Sequence, residues 1–236
     1  MQSNKIVSIT IGVVFIGIAV YLAINLIDVS QNLIAKTGIG WVAATIVTRA
    51  LVCFSFARGI QIILKSLTPK INSILVFIGG LVLGFAISFL SPIYQSDYGD
   101  FSTTDLTIDH KGLTEITNGK YQIKKQPHII VFFTTNCPHC KEASERLGFL
   151  SQLGKLPPIV AIFPGNKENT QKFLAKHKGQ TYEYYRLDEN EDFFLDNSGA
   201  GFPSVFLINE KGETVKHWFG DLLNYSALDY LGSLKN

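Results

Sequence analysis

The sequence predicts an N-terminal α-helical membrane region (three transmembrane helices) followed by a soluble α/β domain, a central mixed sheet flanked by helices. Three observations carry this prediction. The first 96 residues hold three long apolar runs and almost no acidic residues. The remainder alternates short apolar strands with helical stretches. Within it, Ile129–Lys141 reads IIVFFTTNCPHCK, a Cys-x-x-Cys motif placed where a strand runs into a helix.

Of the 236 residues, 47% are hydrophobic and only 17% charged, unusual for a wholly soluble chain. The imbalance is local. Up to Ser96, six basic residues (Lys5, Lys36, Arg49, Arg58, Lys65, Lys70) stand against one acid, Asp28. The rest holds fifteen basic and eighteen acidic residues, a net charge of 15 − 18 = −3. No basic stripe with interleaved aromatics occurs, which argues against nucleic-acid binding. Three cysteines, two of them in the motif, are too few for a secreted disulfide framework.

Ile6–Ile27 carries no charge, follows Lys5, and is long enough to cross a hydrocarbon core of ~30 Å. An uncleaved anchor is the reading adopted; a cleavable signal peptide competes, but no clear A-x-A site follows. Ile71–Leu90 is a second strong span, with Gly79, Gly80 and Gly84 offering small faces for helix packing. Between them Trp41–Leu64 is apolar but interrupted by Arg49 and Arg58. A charge at mid-bilayer costs on the order of 2.5–3.5 kcal/mol on insertion scales, so this is the weakest span. Arg49 reads either as a polar site inside a helix bundle or as an arginine satisfied by a neighbouring helix or headgroup, the second being preferred. Cys53, alone in its segment, reads as a small core residue.

Basic residues set the topology. Lys5 and the Lys65–Lys70 loop fall on the cytoplasmic side; the Asp28–Gly40 loop and everything after Leu90 fall outside. If Trp41–Leu64 only lies on the surface, two spans remain and the last domain turns inward.

The expected organisation is spans at about 6–27, 41–64 and 71–90, a linker and domain entry at 97–112 following on from the polar, linker-like stretch Ser91–Asp105, and a domain at 113–236. Leu113–Thr117 and Lys120–Lys124 flank Asn118-Gly119, a type I′ hairpin signal. Ile129–Phe133 then reads as a strand buried on both faces. Pro138 suits the first position of a helix, where its missing N–H has no partner to lose. Cys137 and Cys140, three apart at that helix start, share a face and are close enough to bridge. Cys137, at the positive end of the helix dipole and beside His139, should be thiolate-rich. That is the chemistry of thiol–disulfide exchange.

The motif helix carries Ala143, Leu147 and Leu150 on one face. Pro157-Pro158 stops it, and Ile159–Phe163 is another strand. Asn166–Lys178 reads as a helix with Phe173 and Leu174 inward, Thr181–Arg186 as a strand and Glu189–Asp196 as a short helix. In Gly201–Ile208 (GFPSVFLI), Pro203 sits just ahead of an apolar strand, where a strand tolerates it. Asn209–Gly212 turns, Glu213–Phe219 returns, and Asp221 is a candidate cap for a last helix, Leu222–Leu234. One Cys-x-x-Cys supplies two metal ligands, and His110 and His128 have no spacing that completes a zinc site, so no metal and no cofactor is expected. His177 and His217 read as surface or hairpin residues, and Tyr182, Tyr184 and Tyr185 as sheet residues.

Strand, helix, strand, helix, β-hairpin and final helix, with NCPHC at the first helix and GFPSVFLINEKGE at the hairpin, resembles the thioredoxin superfamily from the Asn118 region onward. The resemblance implies that Pro203 is a cis-proline facing Cys137 and Cys140, with the Phe202 backbone pairing substrate chains. The tail looks most like membrane-anchored TlpA-like thiol–disulfide proteins, while CPHC is the tetrapeptide of DsbA-type oxidases. Two positions depart from thioredoxin: Asn136 replaces its tryptophan before the first cysteine, and Val131 replaces its buried aspartate. The implied function is a membrane-anchored, extracytoplasmic thiol–disulfide oxidoreductase. Cys137 is its nucleophile, Cys140 resolves, and His139 stabilises the Cys137 thiolate. Its partners are cysteine-containing client proteins, a membrane or extracytoplasmic redox partner, and the lipid bilayer. CPHC argues for oxidation and the TlpA-like frame for reduction. The alternative is a membrane assembly or transport subunit whose thioredoxin-like domain mainly binds a partner.

Overall fold

The computed structural model describes residues 2–91, 97–187, 190–199 and 201–235. Part of the expected linker (92–96) and Glu189, where a short helix was expected to begin, lie outside them. The chain forms two compact units, Met1–Tyr94 and Gln95–Asn236.

The first unit is helical. Among the described residues, two segments are long and apolar enough to cross a membrane, Asn4–Ile24 in α1 (Gln2–Ile24) and Trp41–Leu67, which is α3. The third expected span forms a shorter apolar helix, α4 (Ser73–Ser88), whose 16 residues reach ~24 Å at ~1.5 Å per residue. The expected Asp28–Gly40 loop is largely a helix instead, α2 (Leu26–Thr37). It buries Leu26, Ser30 and Ile34, one per turn along a single face, and ends at Gly38 in the left-handed conformation. Polar residues at the intervening positions disguise this amphipathic helix as a loop.

Of the three glycines expected to pack, Gly80 and Gly84 do so, one turn apart. A Cβ on Gly80 would stand 2.7 Å from Ala57 Cα, and one on Gly84 2.8 Å from Cys53 Cα; Gly79 faces open space. Arg49 is answered within the bundle. Its Nη1 donates to the carbonyls of Ser88 and Ser91, both at 2.8 Å, at the C-terminal end of α4. Carbonyls there have no partner in the helix, and a cation is favoured at that end. Beside it, Ser30 and Thr48 share a buried hydrogen bond of 3.2 Å.

The second unit is a five-stranded mixed sheet flanked by helices, with strand order β3-β2-β1-β4-β5. β1 (His128–Phe132) lies at the centre, parallel to β2 (Ile159–Phe163) and antiparallel to β4 (Ser204–Ile208). β3 (Glu183–Arg186) extends the sheet parallel to β2, and β5 (Thr214–Phe219) closes the other edge antiparallel to β4. All residues of β1, β2 and β4 are buried, the apolar runs together with His128 and Ser204 at the starts of β1 and β4. Alternation sends Ile130 and Phe132 into a cluster with Val160, Ile162, Phe194 and Phe206. Phe133 meets Phe163 and Phe173 in a separate group of rings, with centroids 5.4–5.8 Å apart. α6 (Pro138–Gln152), α7 (Lys167–Lys176), α8 (Glu191–Ser198) and α9 (Tyr225–Ser233) complete the unit.

The expected Asn118-Gly119 hairpin does not form. α5 (His110–Ile116) stands in place of its first strand, capped by Asp109, whose Oδ1 accepts from Gly112 N–H at 2.9 Å. Asn118 (φ 53°) and Gly119 (φ 75°) adopt the left-handed pair their sequence favours, but they use it to end the helix. Gly119 N–H reaches back to Thr114 C=O and Asn118 N–H to Glu115 C=O, the 6→1 and 5→2 bonds of a Schellman motif. The stretch expected as a linker is tied to the sheet: Thr103 and His217 exchange backbone hydrogen bonds of 2.8 and 2.9 Å. The last helix begins at Tyr225, capped by Asn224 at 2.8 Å to Ala227 N–H, rather than at Leu222 under Asp221.

Candidate active site

The site forms where three backbone features meet: the end of β1, the first turn of α6, and the loop entering β4. Cys137 is the N-cap of α6 in extended backbone, and Pro138 occupies the first turn. This turns Cys137 Sγ over the helix end, where it accepts from Cys140 N–H at 3.3 Å. A hydrogen-bond donor aimed at sulfur at a helix N-terminus supports negative charge there.

Phe202-Pro203 is a cis peptide bond. Cys137 Sγ donates to Phe202 C=O at 3.6 Å, so the loop before β4 lies directly against the first cysteine. Pro203 is buried and Phe202 half-buried. The Phe202 ring stacks on Phe194 of α8 (centroids 5.5 Å, planes 19° apart). The loop is held from β5 as well: Gly220 N–H donates to Pro203 C=O at 2.8 Å, and Ser204 Oγ bonds His217 Nε2 at 2.8 Å.

The two sulfurs differ in access. Both cysteines are unbridged, Cys137 half-buried and Cys140 fully buried. Burial pushes the Cys140 thiol up to about 12, a rise opposed by the Thr134 backbone N–H (3.5 Å from its sulfur) and reinforced by Cys137. Thr134 Oγ1 is also 3.9 Å from that sulfur. Val131, where thioredoxin has its buried aspartate, is fully buried in β1. The arrangement can accept a sulfur electrophile at Cys137 and hold Cys140 as a protonated second thiol behind it.

Pro138 and His139 are exposed on the first turn of α6, and among the described residues no hydrogen bond or ion pair fixes the imidazole. Thr134, Phe194, Ser204 and His217 were not singled out as site residues by sequence. Thr134 was readable only as the first break in an apolar run. Nothing local marks Phe194 as the support of Phe202. His217, read as a surface or hairpin residue, is buried: the β4–β5 register sets it opposite Phe206, with ring centroids 4.2 Å apart. His177 is buried too, with Nδ1 2.7 Å from Glu145 Oε1. No group of three or more candidate metal ligands occurs among the described residues.

No protein-family model matches the chain. Over 154 residues it is 25% identical to the thiol:disulfide interchange protein DsbE of Haemophilus influenzae, covering 60% of this chain and 83% of that protein. Among solved structures, StoA of Bacillus subtilis matches at 22% identity with a TM-score of 0.39, covering 48% of this chain and 84% of its own. A secreted Mycobacterium tuberculosis disulfide oxidoreductase homologous to E. coli DsbE matches at 14% identity with a TM-score of 0.38, covering 47% and 81%. By sequence, then, the chain is similar to a thiol:disulfide interchange protein, and its own Cys-x-x-Cys pair opens the helix after the central strand of a five-stranded mixed sheet, facing the loop that heads β4.

Proposed function

We propose that the protein is a membrane-anchored, extracytoplasmic thiol–disulfide oxidoreductase acting on cysteines of other proteins. The observation that carries this reading is the unequal pair: an accessible Cys137 sulfur between Cys140 N–H and Phe202 C=O, with a buried, protonated Cys140 behind it. The relative's name, a thiol:disulfide interchange protein, supports it.

In the reducing direction, Cys137 thiolate attacks one sulfur of a client disulfide. That S–S bond breaks, a mixed disulfide forms, and the first client sulfur leaves as a thiolate. Cys140 sulfur then attacks Cys137 sulfur. Its proton passes to the departing second client sulfur, so two electrons reach the client and a Cys137–Cys140 disulfide remains. Oxidation of a client dithiol is the same sequence reversed. Phe202 C=O, facing the reacting sulfur, pairs the client backbone, and Pro203 holds that loop. His139, exposed one residue before Cys140, supports the Cys137 thiolate electrostatically and so favours the dithiol form.

The membrane region crosses three times in this reading, with Lys5 and the Lys65–Lys70 turn cytoplasmic and the thioredoxin-like unit outside. The large exposed apolar side chains of α1 and α4, among them Ile6, Val13, Ile74 and Val82, fit a lipid environment. Cys137→Ser tests the function: disulfide exchange and complementation of a deletion strain should both disappear. Full complementation by Cys137→Ser would sink the enzyme reading in favour of a partner-binding subunit. The in-cell redox state of the pair, fixed by acid quenching, gives the direction: mostly oxidised for an oxidase or isomerase, mostly reduced for a reductase.

A further inference from the structure

Beside the cysteine pair lies an open cleft of about 220 Å³ between the β1–α6 turn and α7. Thr135 and Asn136, the two residues before Cys137, form one wall, and Lys141, Lys172 and Lys176 bring three cations to it. No carboxylate lines it. Lys172 pairs with Glu168 at 2.6 Å, both highly exposed, while neither Lys141 nor Lys176 has an ion pair among the described residues. The Asn169 amide adds a polar group that can donate. This concentration of positive charge sits on a region with three more acidic than basic residues, so it is not a by-product of composition.

We infer that the cleft beside Cys137, lined by Lys141, Lys172 and Lys176, receives an acidic side chain of the client polypeptide. This rests on the exchange reading above and adds a sequence preference to it. A client held at Cys137 and extended past Asn136 advances ~3.3 Å per residue, so an Asp or Glu within about three residues of its cysteine reaches the lysines. Flexible lysines around an open, wet cleft give steering and selectivity rather than a fixed geometry. The preference should therefore appear in encounter rate and fade with salt.

The test uses the full chain in neutral detergent and three peptide disulfides whose cysteine is flanked by Glu, Ser or Lys. The expected result is a kcat/KM for the Glu peptide on the order of 10-fold above that for the Lys peptide at low ionic strength. That ratio should collapse in high salt and invert in the Lys172→Glu/Lys176→Glu variant. Because the ratio is taken within each protein, a general loss of activity in the variant does not affect it. The same peptides with serine in place of cysteine, measured by fluorescence anisotropy, separate the two claims: binding that favours Glu supports the cleft even if exchange fails. Equal ratios in wild type and variant, with equal anisotropy binding of Glu and Lys peptides, would overturn the inference. So would a preference abolished by phosphatidylglycerol vesicles but not by neutral vesicles, which would assign the cleft to lipid headgroups.

Discussion

Protonation of His217 should cost the C-terminal unit a measurable part of its stability. The imidazole is buried beneath the loop that carries Pro203. It stacks on Phe206 and bonds Ser204 Oγ through Nε2, while the His217 backbone exchanges hydrogen bonds with Thr103. Burial holds its pKa down at about 4, against an ordinary 6.5. The folded state therefore keeps it neutral while the unfolded chain binds a proton, so stability falls as pH drops from 6.5 towards 4 and levels off below that. With a pKa difference of one worth about 1.4 kcal/mol, His217 alone ties about 3 kcal/mol of stability to this window. His110 and His128 are also held below the ordinary range by burial and add to the same trend. His217→Gln isolates one contribution, since glutamine keeps a polar end for Ser204 and does not titrate. Denaturant unfolding of the full chain in detergent can be followed by Trp218, the adjacent buried residue, in a Trp41→Phe background. Between about pH 7 and pH 4 the wild type should lose about 3 kcal/mol more than His217→Gln. Parallel losses in the two proteins would refute the assignment.

Three further outcomes follow from the geometry. With Cys53→Ser in place, a brief iodoacetamide pulse on the reduced native protein near pH 8 should modify Cys137 and spare Cys140, which is fully buried with its thiol pushed up to about 12; equal modification by peptide mass spectrometry would contradict that order. Phe194→Ala removes a ring that contacts both Phe132 and Phe202, and should cost about 3–5 kcal/mol by denaturant unfolding. A loss below about 1 kcal/mol would mean that the Phe202 loop is held without it. Gly84→Val should push α4 away from α3, because its Cβ would stand 2.8 Å from Cys53 Cα, whereas Gly79→Val meets open space; thermal aggregation in detergent should separate the two variants.

The sheet and its site were legible where local chemistry and tertiary demand agree. Ile129–Phe133 and Ile159–Phe163 are too short and too apolar to be anything but buried strands in this setting, and CPHC carries its own helix start. Legibility failed where a local signal has two tertiary uses. Asn118-Gly119 fixes two left-handed residues, but whether they join strands or end a helix is decided by Asp109 upstream and by Leu113 and Tyr121 in the core. His217 reads as superficial beside Lys216 in a short hairpin strand, but its place opposite Phe206 and the Thr103 bridge along the sheet edge cover it. Arg49 shows a different limit: its hydropathic cost is visible in the sequence, but the carbonyls that answer it lie 39 and 42 residues away. Support of Phe202 by Phe194 and the lysine-lined cleft likewise depend on segments that meet only in the folded unit.

The most direct test of the central claim is to trap the exchange intermediate. In cells expressing Cys53→Ser/Cys140→Ser, acid quenching and thiol alkylation before non-reducing electrophoresis should show adducts of higher mass. These should dissolve on reduction and vanish when Cys137→Ser is added. Such adducts would place client proteins in disulfide linkage to Cys137, as the unequal pair requires. Their absence, or their persistence without Cys137, would contradict the account.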